Sequence, residues 1–181
     1  MDPVLARRIR LLALDVDGVL TDNGIFLGPI GGRRVELKRF DIQDGLGIRL
    51  LQGTPIEVVW ISARESEATR LRADELNIGT LIQDNGGRKL PALAAIIESR
   101  GLDWSEVAFV GDDLADLSVM ERVGLPIAVA NATDEIKAVA KWTTSRAGGH
   151  GAVREAIEAV LKARGEWAAV VARYRTSRDV A

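Results

Sequence analysis

The chain has 181 residues, a length typical of one domain, and 47% of them are hydrophobic, enough for a substantial core. Lysine and arginine number 24 against 26 acidic residues, a net charge of -2, and no basic stripe carries interleaved aromatic residues, so no nucleic-acid partner is expected. The absence of cysteine excludes disulfides, zinc thiolate sites and cysteine nucleophiles. The first apolar run is too short for a secretory signal or a membrane span, so we expect a cytoplasmic protein with no membrane partner.

Short apolar runs alternate with helical patterns along the chain. The predicted strands are residues 11–16, 56–61, 107–110, 125–129 and 142–144, and the predicted helices are residues 44–52, 65–76, 90–99, 114–123 and 152–163. Continuous apolar runs are typical of parallel strands that are covered on both faces. Strands that alternate with helices predict an α/β fold with a doubly wound parallel sheet.

Residues 24–40 interrupt this alternation. The segment contains IFLG, then Pro29 and two glycines, then RRVELKRF, a pattern that predicts a β-hairpin with a glycine-rich turn directly after the first strand. Residues 1–164 are predicted to form one domain. Residues 165–181 are predicted to form a short helix followed by a polar tail.

Acidic residues follow two of the predicted strands, at the sheet edge where open α/β proteins bind ligands. Asp15 and Asp17 end the first strand, and the run at 107–110 leads into Asp112, Asp113 and Asp116. Clustered carboxylates repel one another unless a cation lies among them. A hard divalent cation with oxygen ligands, such as Mg²⁺, meets that requirement, so the sequence predicts a magnesium site.

The same edge carries groups suited to phosphoryl transfer. With Mg²⁺ and Lys89 balancing the charge of a phosphoryl group, an ionised Asp15 can attack phosphorus and form an aspartyl-phosphate that water then hydrolyses. Asp17 is expected on the same side as Asp15, because residues two apart in an extended segment share a face. There it can protonate the leaving alkoxide and deprotonate the water. The pattern therefore predicts a magnesium-dependent phosphomonoester hydrolase.

The chain resembles the haloacid dehalogenase superfamily of phosphohydrolases. The four motifs of that superfamily are matched in order by LALDVDGVLTD, ISAR, Lys89 and VGDDLAD. Residues 11–161 resemble more closely the 3-deoxy-D-manno-octulosonate 8-phosphate (Kdo-8-phosphate) phosphatase family. This closer resemblance lies in the stretches FDIQDGLGIRLL, VGDDLADLSVMERVGLPIAVANA and AGGHGAVREAIE. This resemblance implies a capless haloacid-dehalogenase-like fold and hydrolysis of a sugar-acid phosphate in lipopolysaccharide precursor biosynthesis. It also implies a homotetramer that assembles through the hairpin.

The resemblance assigns roles to individual residues. Asp15 is the implied nucleophile and Asp17 the implied general acid and base. The implied metal ligands are Asp15, the Asp17 backbone carbonyl and Asp112. The residues implied to bind phosphate are Ser62 and Lys89, and those implied to orient the metal and Lys89 are Asp113 and Asp116. The implied substrate-binding residues are Asp41, Gln43, Asp44, Gly45, Arg49, Arg64 and Arg72.

Three features depart from the family pattern. Gln43 and His150 occupy positions where the family usually has arginine, the segment before Lys89 is one residue longer than usual, and the hairpin is slightly longer. The two missing arginines concern the end of the site that would bind a sugar carboxylate, where bidentate arginine pairing matters. A related nine-carbon sugar acid 9-phosphate is therefore the alternative substrate.

Several of these residues also have ordinary structural interpretations. Ser62 could cap the following helix, and Asp113 or Asp116 could belong to an acidic first helical turn. Lys89 could be a solvated surface lysine. Arg64 and Arg72 could pair with neighbouring acids on a charged helix.

Two other classes of protein compete with the phosphatase. A phospho-signalling receiver domain also uses an aspartate phosphoacceptor on a doubly wound sheet, but it places that aspartate on the third strand, whereas Asp15 follows the first. A catalytically silent assembly subunit is the second alternative, and the presence of both Asp15 and Asp17 argues against it.

Overall fold

The computed structural model describes residues 1–179. In chain order the helices are α1 (Pro3–Arg8), α2 (Ile42–Leu50), α3 (Glu67–Glu75), α4 (Lys89–Ser99), α5 (Leu117–Met120), α6 (Asp134–Val139), α7 (Ala152–Arg164) and α8 (Trp167–Asp179). The strands are β1 (Leu11–Leu14), β2 (Phe26–Ile30), β3 (Arg33–Leu37), β4 (Glu57–Ser62), β5 (Leu81–Gln83), β6 (Val107–Gly111), β7 (Leu125–Ala128) and β8 (Trp142–Thr143). Among these residues, no helix is long and apolar enough to cross a membrane.

Six parallel strands form the central sheet, in the order β5-β4-β1-β6-β7-β8. All four residues of β1 are buried, as a continuous apolar run requires when both faces of a sheet are covered. The chain builds the sheet outward from β1 to β4 and β5, and then returns to place β6, β7 and β8 on the other side. The reversal lies between β1 and β6, the position where open α/β sheets bind ligands.

Helices flank this sheet in two groups. Helices α1, α2 and α8 each contact α7, and α5 contacts both α4 and α6. The buried residues of α7 recur at helical spacing, and the helix ends at Gly165, whose positive φ of 79° closes the last turn. The predicted doubly wound α/β fold is confirmed.

The predicted hairpin after β1 is also confirmed. Strands β2 and β3 pair antiparallel, with Phe26 opposite Leu37 and Ile30 opposite Arg33. Gly31 and Gly32 form a two-residue turn with φ of 58° and 76°, a conformation that glycine adopts at little cost. A bridge between Thr21 and Phe40 closes the base of the hairpin.

Several element boundaries differ from the prediction for local reasons. Strand β1 ends at Leu14, two residues early, because the chain turns after Asp15. Helix α2 begins two residues early, because the Asp41 side chain accepts a hydrogen bond from the Gln43 N–H and caps it. The helix predicted at 114–123 is a 3₁₀ turn followed by the short α5.

Helices α1 and α6 and strand β5 escaped prediction, and the C-terminal segment is more helical than expected. Each of these three elements is too short for a clear periodic pattern. The segment predicted as a short helix and a polar tail forms the 13-residue helix α8, and positions 180 and 181 of that prediction lie outside the described residues.

Candidate active site

Three buried carboxylates meet at the carboxyl edge of the sheet. Asp15 directly follows β1, and its N–H donates to the Val110 carbonyl of β6 at 3.1 Å. Asp112 directly follows β6, and Asp116 lies one short turn further on. Asp15, Asp112 and Asp116 each contribute a carboxylate oxygen to a group whose atoms lie within 4.8 Å of one another. The two strands at the topological reversal therefore bring the predicted acids together.

Lys89 reaches into this cluster from the first residue of α4. Its Nζ lies 2.6 Å from Asp15 Oδ1 and 2.6 Å from Asp116 Oδ1, and its side chain is 2% exposed. The alternative of a solvated surface lysine is therefore wrong. The second oxygen of Asp116, Oδ2, accepts a hydrogen bond from the Asp112 N–H at 3.0 Å. Asp116 thus orients both Lys89 and the start of the loop that carries Asp112.

The charges in the cluster are not balanced. Burial raises the pKa of Asp15 well above its usual range, and the Asp116 charge raises it further, while Lys89 opposes both effects. Burial, with the Asp116 charge, raises the pKa of Asp112 to about 7. Burial alone would lower the pKa of Lys89, but the carboxylates of Asp15 and Asp116 hold it above its usual value. When all three acids are ionised, one ammonium group leaves an excess of negative charge.

The cluster fits a hard divalent cation. Asp112 Oδ1 is buried and has no hydrogen-bond partner among residues 1–179, and a buried acceptor of this kind needs a partner. Gly18, with φ of 88°, lies against this carboxylate, and a Cβ there would be 1.9 Å from Asp112 Oδ2. Both oxygens of Asp116 are already engaged, which leaves Asp15 and Asp112 as the carboxylates suited to a metal.

Asp17 lies outside this cluster. The chain turns after Asp15, with the N–H groups of Leu20 and Thr21 donating to the Val16 carbonyl, so the expectation of an extended segment through Asp17 is wrong. The Asp17 carboxylate instead lies 2.6 Å from Lys38 Nζ through Oδ1. Its general acid and base role stays a prediction, with a partner that sequence reasoning missed.

Lys38 belongs to a network at the base of the hairpin. Glu36 Oε1 lies 3.6 Å from Lys38 Nζ, and Glu36 Oε2 lies 3.1 Å from Arg64 NH2. Arg64 NH1 is 3.9 Å from Asp17 Oδ2. The structure thus brings the predicted substrate residue Arg64 beside Asp17. The alternation of RRVELK, which places Glu36 and Lys38 on one face of the ribbon, was the available signal.

Ser62 and Asp113 both had an alternative interpretation as helix-capping residues. Ser62 ends β4, and its buried Oγ accepts from the Arg64 N–H at 3.1 Å and donates to the Arg64 carbonyl. Helix α3 is capped by Ser66, so the interpretation of Ser62 as its cap is wrong. Asp113 does cap the 3₁₀ turn that follows it, since its carboxylate accepts from the Leu114 N–H at 2.7 Å. The phosphate role of Ser62 and the supporting role of Asp113 stay predictions.

Asn131 is a second residue that sequence reasoning missed. Its side-chain amide donates to the Gly18 carbonyl at 3.2 Å, and its Oδ1 accepts from the Gly148 N–H at 2.6 Å. A Cβ at Gly148 would lie 1.7 Å from the Gly18 carbonyl oxygen. The glycine-rich loop before α7 therefore packs directly on the loop that follows β1, while His150 in the same loop is exposed.

Comparison with known proteins places this site in a family. A family model of haloacid dehalogenase-like hydrolases matches residues 60–157. The 3-deoxy-D-manno-octulosonate 8-phosphate phosphatase KdsC of Escherichia coli K12 is 44% identical over 161 residues, which cover 89% of this chain and 84% of that protein. The chain belongs to the Kdo-8-phosphate phosphatase family of haloacid dehalogenase-like hydrolases.

Solved structures of this family match over nearly the whole chain. The phosphatase from Moraxella catarrhalis, in complex with a magnesium ion, a phosphate ion and KDO, is 38% identical with a TM-score of 0.88, covering 95% of this chain and 97% of that chain. The cobalt-bound phosphatase from Haemophilus influenzae is 32% identical with a TM-score of 0.82, covering 90% and 93%.

Residues that the family resemblance assigns to the sugar make contacts within the protein. Arg72 donates to the Asp41 carbonyl at 3.3 Å and pairs with Glu75 at 2.7 Å, and a Cβ at Gly45 would lie 2.5 Å from its NH2. Arg49 donates to the Glu75 carbonyl at 3.3 Å. These contacts join α2 to α3 and give Arg49 and Arg72 a structural role. Their role in substrate binding, and that of Asp41 and Gly45, stays a prediction.

Gln43, at one of the missing arginine positions, has a guanidinium beside it from elsewhere in the chain. Its Oε1 accepts from Arg146 NH1 at 2.9 Å. Arg146 lies in the loop before α7, close to the second missing arginine position at His150. The role of Gln43 in substrate binding also stays a prediction.

Asp44 joins α2 to the start of α7. Its Oδ1 accepts from the Arg154 N–H at 2.7 Å, and Oδ2 is buried without a hydrogen-bond partner in the described part of the chain. Burial raises the pKa of Asp44 to about 6, with the charge of Asp41 adding to it, while backbone N–H groups of α7 oppose the shift. Asp44 therefore has a structural contact beside its predicted substrate role.

Asp44→Asn should change how the free energy of unfolding depends on pH. Between the usual aspartate pKa and about 6, the unfolded chain releases a proton that folded Asp44 retains, so the carboxyl destabilises the folded state as pH rises through this window. The stability of the wild type relative to Asp44→Asn should therefore fall between pH 4 and pH 7, by on the order of 2 kcal/mol. Urea unfolding of both proteins across this pH range measures the difference between their free energies of unfolding. The contributions of the other titrating groups are the same in both proteins and cancel in this difference. A difference independent of pH would contradict the assignment.

Proposed function

We propose that the protein hydrolyses Kdo-8-phosphate to Kdo and phosphate through an aspartyl-phosphate on Asp15. The observation that carries the proposal is the buried cluster of Asp15, Asp112 and Asp116 around Lys89, at the reversal of strand order. The 44% identity to the Escherichia coli phosphatase, over most of both chains, supports the named substrate. A signalling receiver does not fit, because the candidate phosphoacceptor follows the first strand.

The metal belongs to this proposal. Asp15 and Asp112 would hold Mg²⁺, with the Asp17 backbone carbonyl as the family's third protein ligand. The orphaned Asp112 Oδ1 and the excess negative charge of the cluster support this assignment. When bound, the ion supplies positive charge to the phosphoryl oxygens of the substrate.

The residues of the chain then account for both halves of the reaction. An oxygen of Asp15 attacks phosphorus, the bond from phosphorus to the ester oxygen breaks, and the departing oxygen takes a proton from Asp17. In the second half, Asp17 takes a proton from a water that attacks the phosphorus of the aspartyl-phosphate, which releases phosphate and restores Asp15. Lys89 holds Asp15 in place, and with Ser62 it is proposed to bind the phosphoryl group.

A panel of phosphosugars, assayed with Mg²⁺ and with EDTA, tests the proposal. We expect Kdo-8-phosphate to have the highest kcat/KM, and chelation to abolish turnover and Mg²⁺ to restore it, because the carboxylate cluster lacks enough cations of its own. The panel includes a nine-carbon sugar acid 9-phosphate, because Gln43 and His150 depart from the family arginines. If Kdo-8-phosphate is hydrolysed no faster than a generic aryl phosphate, the named substrate is wrong.

Asp15→Asn should abolish turnover while leaving the fold intact. The amide keeps the shape of the side chain but is a poor nucleophile, so we expect kcat to fall about 10³-fold or more. Steady-state assays, with circular dichroism to verify folding, measure the change. The matched control is Asp134→Asn, an exposed acid at the start of α6, which should keep wild-type kcat. Activity retained in Asp15→Asn would exclude this residue as the nucleophile.

We also propose that the hairpin of residues 24–40 assembles the protein into a homotetramer. One face of the ribbon carries Phe26, Ile30 and Leu37, which are 67%, 65% and 57% exposed. An exposed apolar face on a two-stranded ribbon is unusual for a monomer and suits a contact with a second copy. The state of assembly and the cytoplasmic location stay predictions.

Phe26→Glu should dissociate the assembly, because the contact would have to bury a carboxylate. Sedimentation velocity at matched concentrations should show the wild type as a tetramer and the variant as smaller species. Val4→Glu, which places the same charge at a similarly exposed apolar residue on α1, is the control and should leave the assembly unchanged. A Phe26→Glu protein that remains tetrameric would rule out the hairpin as the interface.

A further inference from the structure

We propose that Lys38 is a positioning residue that fixes the Asp17 carboxyl group for proton transfer, an inference that rests on the proposed function. The Lys38 side chain is fully buried, and its Nζ lies 2.6 Å from Asp17 Oδ1. Lys38 comes from the base of the hairpin, whereas Asp17 lies in the loop after β1. The contact therefore ties the inserted ribbon to the residue proposed as general acid and base.

The two oxygens of Asp17 differ in their surroundings. Oδ1 is held by Lys38, while Oδ2 is buried and has no hydrogen-bond partner within residues 1–179. Arg64 NH1 lies 3.9 Å from Oδ2, which is too far for a hydrogen bond. One oxygen is thus anchored by Lys38, whereas the other keeps an unfilled acceptor position but is closed off from solvent in this conformation. A catalytic acid must be held within hydrogen-bond reach of the atom that it protonates.

Lys38 is itself held from two directions. Its Nζ donates to Thr69 Oγ1 of α3 at 3.3 Å, and Glu36 Oε1 lies 3.6 Å away on the same face of the ribbon. Glu36 also pairs with Arg64, so that two carboxylates and two cations alternate around this part of the site. A buried ammonium group is costly without such partners, and with them its position is well defined.

The two lysines of the site serve different carboxylates. Lys89 contacts the nucleophile Asp15, and Lys38 contacts the acid and base Asp17. Removal of the Lys38 ammonium group should therefore impair proton transfer to the leaving group more than attack on phosphorus. The two effects separate when the leaving group is varied, since an alkoxide must be protonated as it departs and a nitrophenolate need not be.

The experiment compares Kdo-8-phosphate with p-nitrophenyl phosphate for Lys38→Met, Lys38→Arg, Asp17→Asn and the control Lys162→Met, an exposed lysine on α7. Because kcat/KM covers the steps up to transfer to Asp15, it reports the acid role alone. We expect Lys38→Met to lower kcat/KM for Kdo-8-phosphate by about 10²-fold and for p-nitrophenyl phosphate by less than about threefold. Lys38→Arg should recover part of the loss, and Lys162→Met should match the wild type on both substrates.

A double variant completes the test. If Lys38 acts through Asp17, Lys38→Met should add little to the loss already caused by Asp17→Asn. Equal losses on the two substrates, or additive losses in the double variant, would overturn the inference. The ratio of two kcat/KM values from one sample does not depend on the fraction of folded enzyme, so it remains informative for an unstable variant. A wild type inactive on every phosphate ester would instead refute the proposed function.

Discussion

A carboxylate removed from water needs a positive partner, and at the carboxyl edge of this sheet three clustered carboxylates have one ammonium group, that of Lys89, among them. Lys89 satisfies Asp15 and Asp116, and backbone N–H groups satisfy the rest of Asp116. Asp112 keeps a buried oxygen without a partner in the described chain. The strand order, the glycine at position 18 and the loop after β6 all act to keep this cluster together despite its repulsion. The site is thus preorganised for positive charge that the side chains themselves do not supply.

The sequence predicted the sheet and the acids well, because both depend on local patterns. Continuous apolar runs indicate buried parallel strands, and the residues after β1 and β6 necessarily meet at one edge. The surroundings of Asp17 could not be predicted in this way. Its contact with Lys38 depends on how the hairpin leans against the body, which no spacing along the chain encodes. The turn after Asp15 also replaced the extended segment that the prediction assumed.

The residues that the family resemblance assigns to the sugar have structural contacts of their own. Asp41 caps α2, Asp44 holds the start of α7, and Arg72 joins α2 to α3. Each contact gives the residue a reason to be present even without a substrate. The distinction cannot be made from residue type, because the polar groups that cap helices are also those that bind sugars. The hydrogen bond between Gln43 and Arg146 likewise shows a guanidinium that arrives from a distant part of the chain.

The two faces of the hairpin differ in chemistry, because successive residues of a strand point to opposite faces. Val35 and Leu37 point away from Asp17, while Glu36 and Lys38 point toward it. Insertion of a single residue into β3 would exchange these sets, turning apolar side chains toward Asp17 and charged side chains to the outer surface. A length change at the glycine tip, or one of two residues, would leave the two faces as they are. The contact between Lys38 and Asp17 therefore depends on the parity of β3.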